Sequence, residues 1–316
     1  MLGFSLVGVL LVTAGCERPH EEPSGSGLPD TGHPVVTDPA GIDGENPPTM
    51  KELSFTNAGS KINGLMYLAN GRGPHATVVL LHGYAGNERN LDLAQAMRRS
   101  GYNVLFFNYR GTWGSGGEFS AGNGIADVHR ALEWLRDEAG PEFRVDTERI
   151  ALVGHSFGGF MGFIGAAEDS RVACLGFIAG AQMGLFGRAA AEDAELRAML
   201  ENALGEAMDY EGGPVKASPG PVIQDLIDDA ERYDVAARAA ELAGRPLFVV
   251  GGERDVDTPK AQHHDSVVAA LRAADAGQLT VVVYDDDHYF GAHRIDLAKR
   301  LTDWLGSACW PADPTP

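Results

Sequence analysis

One stretch limits what this chain can fold into more than any other: Arg149-Ile-Ala-Leu-Val-Gly-His-Ser-Phe-Gly-Gly-Phe-Met-Gly162. Residues 150–154 are largely apolar and read as a buried strand. Ser156 then stands at the centre of Gly154-x-Ser156-x-Gly158, and an apolar, Gly-rich helix follows. So tight a turn from strand into helix favours flanking residues that lack a Cβ. It lifts the serine hydroxyl clear of the sheet. It also aims the first N–H groups of the helix, which have no partner inside it, at whatever the serine meets. Ser156 is therefore a candidate nucleophile, and the Phe157 amide a candidate donor to a negatively charged oxygen. The pattern alone is weak evidence in a chain with 41 glycines; the strand before it and the helix after it give it weight.

A chain of 316 residues can bury a full core without disulfide help. A net charge of −19 repels phosphate backbones and excludes nucleic acid as a partner. Residues 1–15 form an uncharged apolar run, too short to span a bilayer as a helix. The run ends in Val12-Thr-Ala-Gly-Cys16, which resembles a bacterial lipoprotein signal, where the cysteine becomes the lipidated first residue. The expectation is a signal segment over 1–15 and a membrane anchor through lipid on Cys16. That places the protein in the bacterial cell envelope outside the cytoplasm (periplasmic or surface), with plain secretion as the alternative. Residues 16–49, rich in Pro, Gly, Ser, Asp and Glu, read as a disordered tether. An oxidising compartment permits a bond between Cys174 and Cys309. The apolar run 172–179 favours instead a buried Cys174 thiol.

From residue 50 to the end the pattern becomes that of one domain. Residues 51–56 and 61–68 look like two antiparallel strands. Strands at 77–81, 103–109, 149–154, 172–179, 246–251 and 279–284 then alternate with helices at 88–100, 125–138, 157–168, 259–274 and 292–305. Such alternation gives a mostly parallel, doubly wound α/β sheet with its chemistry at the carboxyl ends of the strands. Residues 181–243 break the rhythm with helical stretches near 189–208 and 222–242. They are expected to arch over that edge as a helical lid. The lid carries thirteen Asp and Glu against five Lys and Arg, which reads as solvated acidic outer faces.

The signatures His82-Gly-Tyr84, Asn108-Tyr-Arg-Gly111, Gly154-His-Ser-Phe-Gly158, Gly252-Glu-Arg-Asp255 and Asp287-His-Tyr-Phe290 fall on successive strand ends. Together they resemble the α/β-hydrolase family over about residues 50–305. His82-Gly-Tyr-Ala-Gly-Asn87 and Tyr109-Arg-Gly-Thr-Trp-Gly-Ser115 are further similar to its feruloyl- and cinnamoyl-esterase-like and prolyl-oligopeptidase-like branches. The resemblance implies a serine nucleophile followed in sequence by an acid and then a histidine. His288 follows the last strand and is the expected base; His293 and the pair His263-His264 read as exposed helix residues. Asp255 holds the family position of the acid, with Asp257 as its rival. The Tyr84 amide joins that of Phe157 as the second oxyanion donor. His82, Arg110, Ser115, Glu118 and Asp127 read as structural braces, and His155 as a residue that packs or hydrogen-bonds beside the elbow. No cofactor or metal is implied, since the run Asp285-Asp286-Asp287 with His288 matches no common ligand spacing. The expected reaction is cleavage of acyl esters through an acyl-enzyme, on small-molecule esters. Short peptides are the alternative substrates, and a non-catalytic binding protein on the same fold is the alternative of another class.

Overall fold

The computed structural model describes residues 32–208 and 213–311. Strands β1 (Thr49–Asn57) and β2 (Ser60–Leu68) form an antiparallel hairpin. They continue into a single eight-stranded sheet of order β1-β2-β4-β3-β5-β6-β7-β8. The other strands are β3 (His75–Leu81), β4 (Asn103–Phe107), β5 (Val145–His155), β6 (Leu175–Ile178), β7 (Leu247–Gly252) and β8 (Leu279–Tyr284). From β4 onward every neighbouring pair is parallel. The expected doubly wound α/β sheet is the one observed.

The period of two along each buried strand feeds two cores. Val79 and Leu81 face one side with Leu152, against α2 (Ala121–Glu133) and α3 (Phe157–Glu168). Val78 and Leu80 face the other with Val153, against α1 (Leu91–Arg99) and α8 (Arg294–Trp304). The first core reaches the hairpin through Asp127, a wholly buried carboxylate on α2. It accepts from the Arg110 Nε and N–H (both 2.7 Å) and from Asn57 Nδ2 (2.6 Å). Burial pushes its carboxyl above the usual range against the pull of those donors. Asp127 ties the end of the hairpin to the loop after β4.

Three expectations need correction. Residues 32–48 carry no regular structure, yet they do not hang free as the tether over 16–49 was expected to. Val35 is buried in the second core, and Arg99 donates to the carbonyls of Pro34 and Val35. The remainder of the expected tether, the signal segment 1–15 and Cys16 lie outside the described residues. Second, Cys174 is not a free thiol: it is bonded to Cys309, with Cα atoms 5.7 Å apart across 135 residues of sequence. The chain returns over the sheet through α8, bringing its last turn beside the start of β6, a proximity that no local pattern encodes. Removing so long a cross-link restores chain entropy to the unfolded state. Cys174→Ala is expected to lower the unfolding free energy by about 2–5 kcal/mol. Urea midpoints with and without reductant test this, and two freely titrating thiols in the untreated protein would contradict it. Third, His263 and His264 are buried rather than exposed, because the helix expected from 259 opens with a wide turn before α7 (Ser266–Ala273).

The interruption between β6 and β7 folds as α4 (Met183–Glu192), α5 (Ala194–Met208) and α6 (Pro219–Asp228). The break after α4 falls at Asp193, whose Oδ1 accepts from the N–H groups of Glu195 and Leu196 and so starts a new helix. The second expected stretch ends early, at Asp228, and irregular turns follow. There Tyr233 is fully buried, edge-on to Phe160 of α3. The lid is tied to the domain at several points. Lys216 exchanges backbone hydrogen bonds with Gly111 and Phe119, Asp225 accepts from the Gly122 N–H, and Arg232 and Arg238 both reach Glu168.

Candidate active site

The site grows from the turn between β5 and α3. Ser156 occupies φ 57° and ψ −123°, a region costly for any residue with a Cβ, by about 1–3 kcal/mol. Its surroundings hold it there. Its N–H donates to the Ile178 carbonyl (2.9 Å), and its own carbonyl accepts from Phe160 and Ala181. A Cβ on Gly158 would sit 2.3 Å from the Leu81 carbonyl oxygen, so glycine is required for α3 to approach β3 this closely. A Cβ on Gly83 would lie 2.9 Å from the Ser156 Cβ and 3.4 Å from its Oγ. The loop after β3 is thus pressed against the serine, with the peptide N–H of Tyr84 next in the chain. The Phe157 N–H begins α3 and has no acceptor within the helix.

A second cluster forms at the ends of β7 and β8. His288 Nδ1–H donates to Asp255 Oδ2 at 2.8 Å, and both side chains are buried. With Nδ1 carrying the proton, the neutral ring leaves Nε2 as its acceptor. Asp255 is held in turn. Its Oδ1 accepts from the N–H groups of Asp257 (2.9 Å) and Thr258 (2.7 Å), and its Oδ2 from the Thr258 hydroxyl (2.7 Å). Burial acts to raise the Asp255 carboxyl, but donation from His288 and Thr258 outweighs it and leaves the group below its ordinary value. Of the two candidate acids, Asp255 meets His288, whereas the Asp257 side chain is exposed.

The two clusters share a neighbour. His155, immediately before Ser156, donates from Nε2 to the His288 carbonyl (2.8 Å), and the two rings lie 4.7 Å apart. Burial, aided by the nearby His288, drives the His155 pKa down to about 3, so it is neutral at ordinary pH. His82 is likewise neutral at about 4, chiefly through burial. It donates from Nδ1 to the Gly83 carbonyl (2.7 Å), and its own carbonyl accepts from the Tyr109 hydroxyl (2.9 Å). His82 thereby fixes the loop that carries Gly83 and Tyr84. Asp286 holds the His288 loop by accepting from His293 Nδ1 (2.7 Å) and the Ala292 N–H (3.0 Å).

A match to the alpha/beta hydrolase family model over residues 78–306 accompanies this arrangement. The chain belongs to that family. An uncharacterised 31.7 kDa Escherichia coli protein from the traX-finO intergenic region is 33% identical over 107 residues, 32% of this chain and 36% of that one. An uncharacterised Mycobacterium tuberculosis protein is 34% identical over 104 residues, again 36% of its length. The chain thus spans little more than a third of the curated relatives it matches. Among solved structures, an esterase of Pyrococcus furiosus superposes with TM-score 0.58 at 19% identity, covering 83% of this chain and 92% of that one. Est1E from Butyrivibrio proteoclasticus gives 0.59 at 16% identity, over 80% and 97%. The acylaminoacyl peptidase of Pyrococcus horikoshii gives 0.61 at 17% identity, over 85% and 43%. Likeness at this identity is likeness of fold.

His155 hydrogen-bonds beside the elbow as expected, with the His288 carbonyl as its partner; Thr258 was not legible in the sequence beforehand. A threonine three residues after the acid is too common to single out. His263, placed among exposed residues by its spacing, accepts from the Gln182 N–H at 2.9 Å and stacks on Phe186 of the lid. Among the described residues, Asp255, Asp257 and His288 come close enough to suit a cation, with ligand atoms within 4.8 Å. Both Asp255 oxygens are already engaged by four donors, so a cation there would have to displace the Asp255–His288 pairing.

Proposed function

We propose that this hydrolase-family protein is a serine hydrolase cleaving acyl esters, with Ser156 as nucleophile, His288 as base and Asp255 as the orienting acid. The buried 2.8 Å contact between His288 Nδ1 and Asp255, at the same sheet edge as the strained Ser156 turn, carries the reading. A serine hydroxyl is a poor nucleophile until a base takes its proton. Nε2 of His288, turned toward the serine side by the Nδ1–H donation to Asp255, is the group to take it as Oγ bonds to the ester carbon. The carbonyl oxygen then becomes an oxyanion, for which the Tyr84 and Phe157 amides are the donors, each worth roughly 10²–10³ in rate. The imidazolium returns the proton to the departing alcohol, leaving an acyl group on Ser156. A water molecule, deprotonated by the same Nε2, releases the acid.

The site asks for no metal or cofactor. Apolar walls beside Phe157 favour an acyl chain over the ammonium end of a peptide. A panel of p-nitrophenyl acyl esters against aminoacyl anilides tests this: esters should be turned over at least tenfold faster in kcat/KM, and the reverse order would favour the peptidase reading. An extracytoplasmic location, lipid-anchored through Cys16 or else secreted, is part of the proposal. The Cys174–Cys309 pairing supports it, since such bonds persist in oxidising compartments.

A further inference from the structure

Next to the Ser156 turn lies a half-open apolar pocket of about 160 Å³. Its floor is aromatic: Tyr84 from the oxyanion loop, Phe119, and Phe157 at the first position of α3. The three rings pack against one another with centroids 5.6–6.4 Å apart. Its roof comes from all three lid helices, Phe186 of α4, Leu200 and Leu204 of α5, and Ile223 of α6 among them. The one polar atom in this shell of side chains, the Tyr84 hydroxyl, is buried without a partner, and burial pushes its pKa up to about 12. The hydroxyl is therefore neutral, and the cavity presents no charge to an occupant.

We infer that this cavity binds the acyl part of the substrate and limits it to about six carbons, a hexanoyl chain or a single phenyl ring. The inference rests on the serine-hydrolase reading above and deepens it. Volume sets the size: an apolar protein cavity of about 150 Å³ accommodates one benzene ring. Position sets which half of the ester enters. The cavity walls include the two residues whose amides face the oxyanion, whereas the leaving group must lie within reach of His288 Nε2 to receive its proton. On the His288 side the neighbours are open to solvent: Tyr289 is half-exposed and Val256 is 84% exposed. The acyl group therefore meets apolar walls from both the floor and the lid helices, and the alcohol does not. Selectivity should be steep in the acyl chain and shallow in the alcohol, because burying an added methylene is favourable only while room remains.

The test is kcat/KM for p-nitrophenyl acetate, butanoate, hexanoate, benzoate, decanoate and dodecanoate, with Ser156→Ala as the blank. Activity should rise from acetate to hexanoate and fall at least tenfold by decanoate. Hexanoyl esters of different alcohols should vary by less than that. Leu204→Trp, which fills the cavity from α5, should lower the hexanoate-to-acetate ratio at least tenfold. Met183→Ala, which enlarges it from α4, should move the optimum to a longer chain. A flat acyl profile, or ratios unmoved in both variants while turnover still depends on Ser156, would overturn the cavity assignment and leave the hydrolase reading standing. Turnover indifferent to Ser156 would overturn both.

Discussion

Ser156→Ala should reduce ester kcat/KM by about 10⁴- to 10⁶-fold, and His288→Ala by a similar factor. Asp255→Asn should cost about 10⁴-fold, because an amide can present an N–H to His288 and turn the ring to the wrong tautomer. The losses should not add: the Ser156→Ala/His288→Ala double variant is expected to be no slower than either single one, since base and nucleophile act as a unit. A residue that merely braced the fold would behave otherwise, lowering thermal stability and activity together. Ser156→Ala should keep its melting temperature or gain slightly, as alanine at φ 57° is no more strained than serine and the turn's backbone bonds are unchanged. A binding protein on the same fold would show no Ser156-dependent turnover at all.

Acid should unfold this protein early. An imidazole ordinarily takes up its proton near 6.5. Burial holds His155 neutral down to about 3 and His82 down to about 4. Below pH 6.5 the unfolded chain binds protons that the folded chain refuses, so stability declines as the pH falls through this window. Each ring contributes a loss of up to about 1.4 kcal/mol per pH unit. Over pH 6.5 to 4.5 the two together remove about 4–5 kcal/mol, a large part of an ordinary domain's stability. Asp255 acts in the same sense at lower pH. Its carboxyl is held below the ordinary 3.8, so its contribution is whole above that pH and is lost as the pH falls from there through the lowered value. Urea unfolding at pH 7.5, 6.0 and 5.0 reads the slope directly, and a free energy constant down to pH 5.0 would contradict it.

The parallel strands at 150–154 and 77–81 could be read because short uninterrupted apolar runs fit strands buried on both faces. The elbow could be read because Gly154-x-Ser156-x-Gly158 states its own steric requirement, later visible as the Gly158 approach to Leu81. Burial of polar residues was harder to read. His263 and His264 lie at positions that a regular helix would expose, and one wide turn rotates them inward. Cys174 met Cys309, and Val35 met the second core, through contacts across more than sixty residues of sequence that local pattern does not record. The lid was recognisable as an interruption of the alternation. Its volume against Phe157 depends on three helix packings that composition leaves open.

The most direct measurement is intact-protein mass spectrometry after treatment with a fluorophosphonate, followed by peptide mapping. One adduct per chain is expected, carried by the peptide containing Ser156, and lost in Ser156→Ala and His288→Ala while both variants remain folded. Labelling of another residue, or full labelling of Ser156 in folded His288→Ala at the wild-type rate, would contradict a serine activated by that histidine.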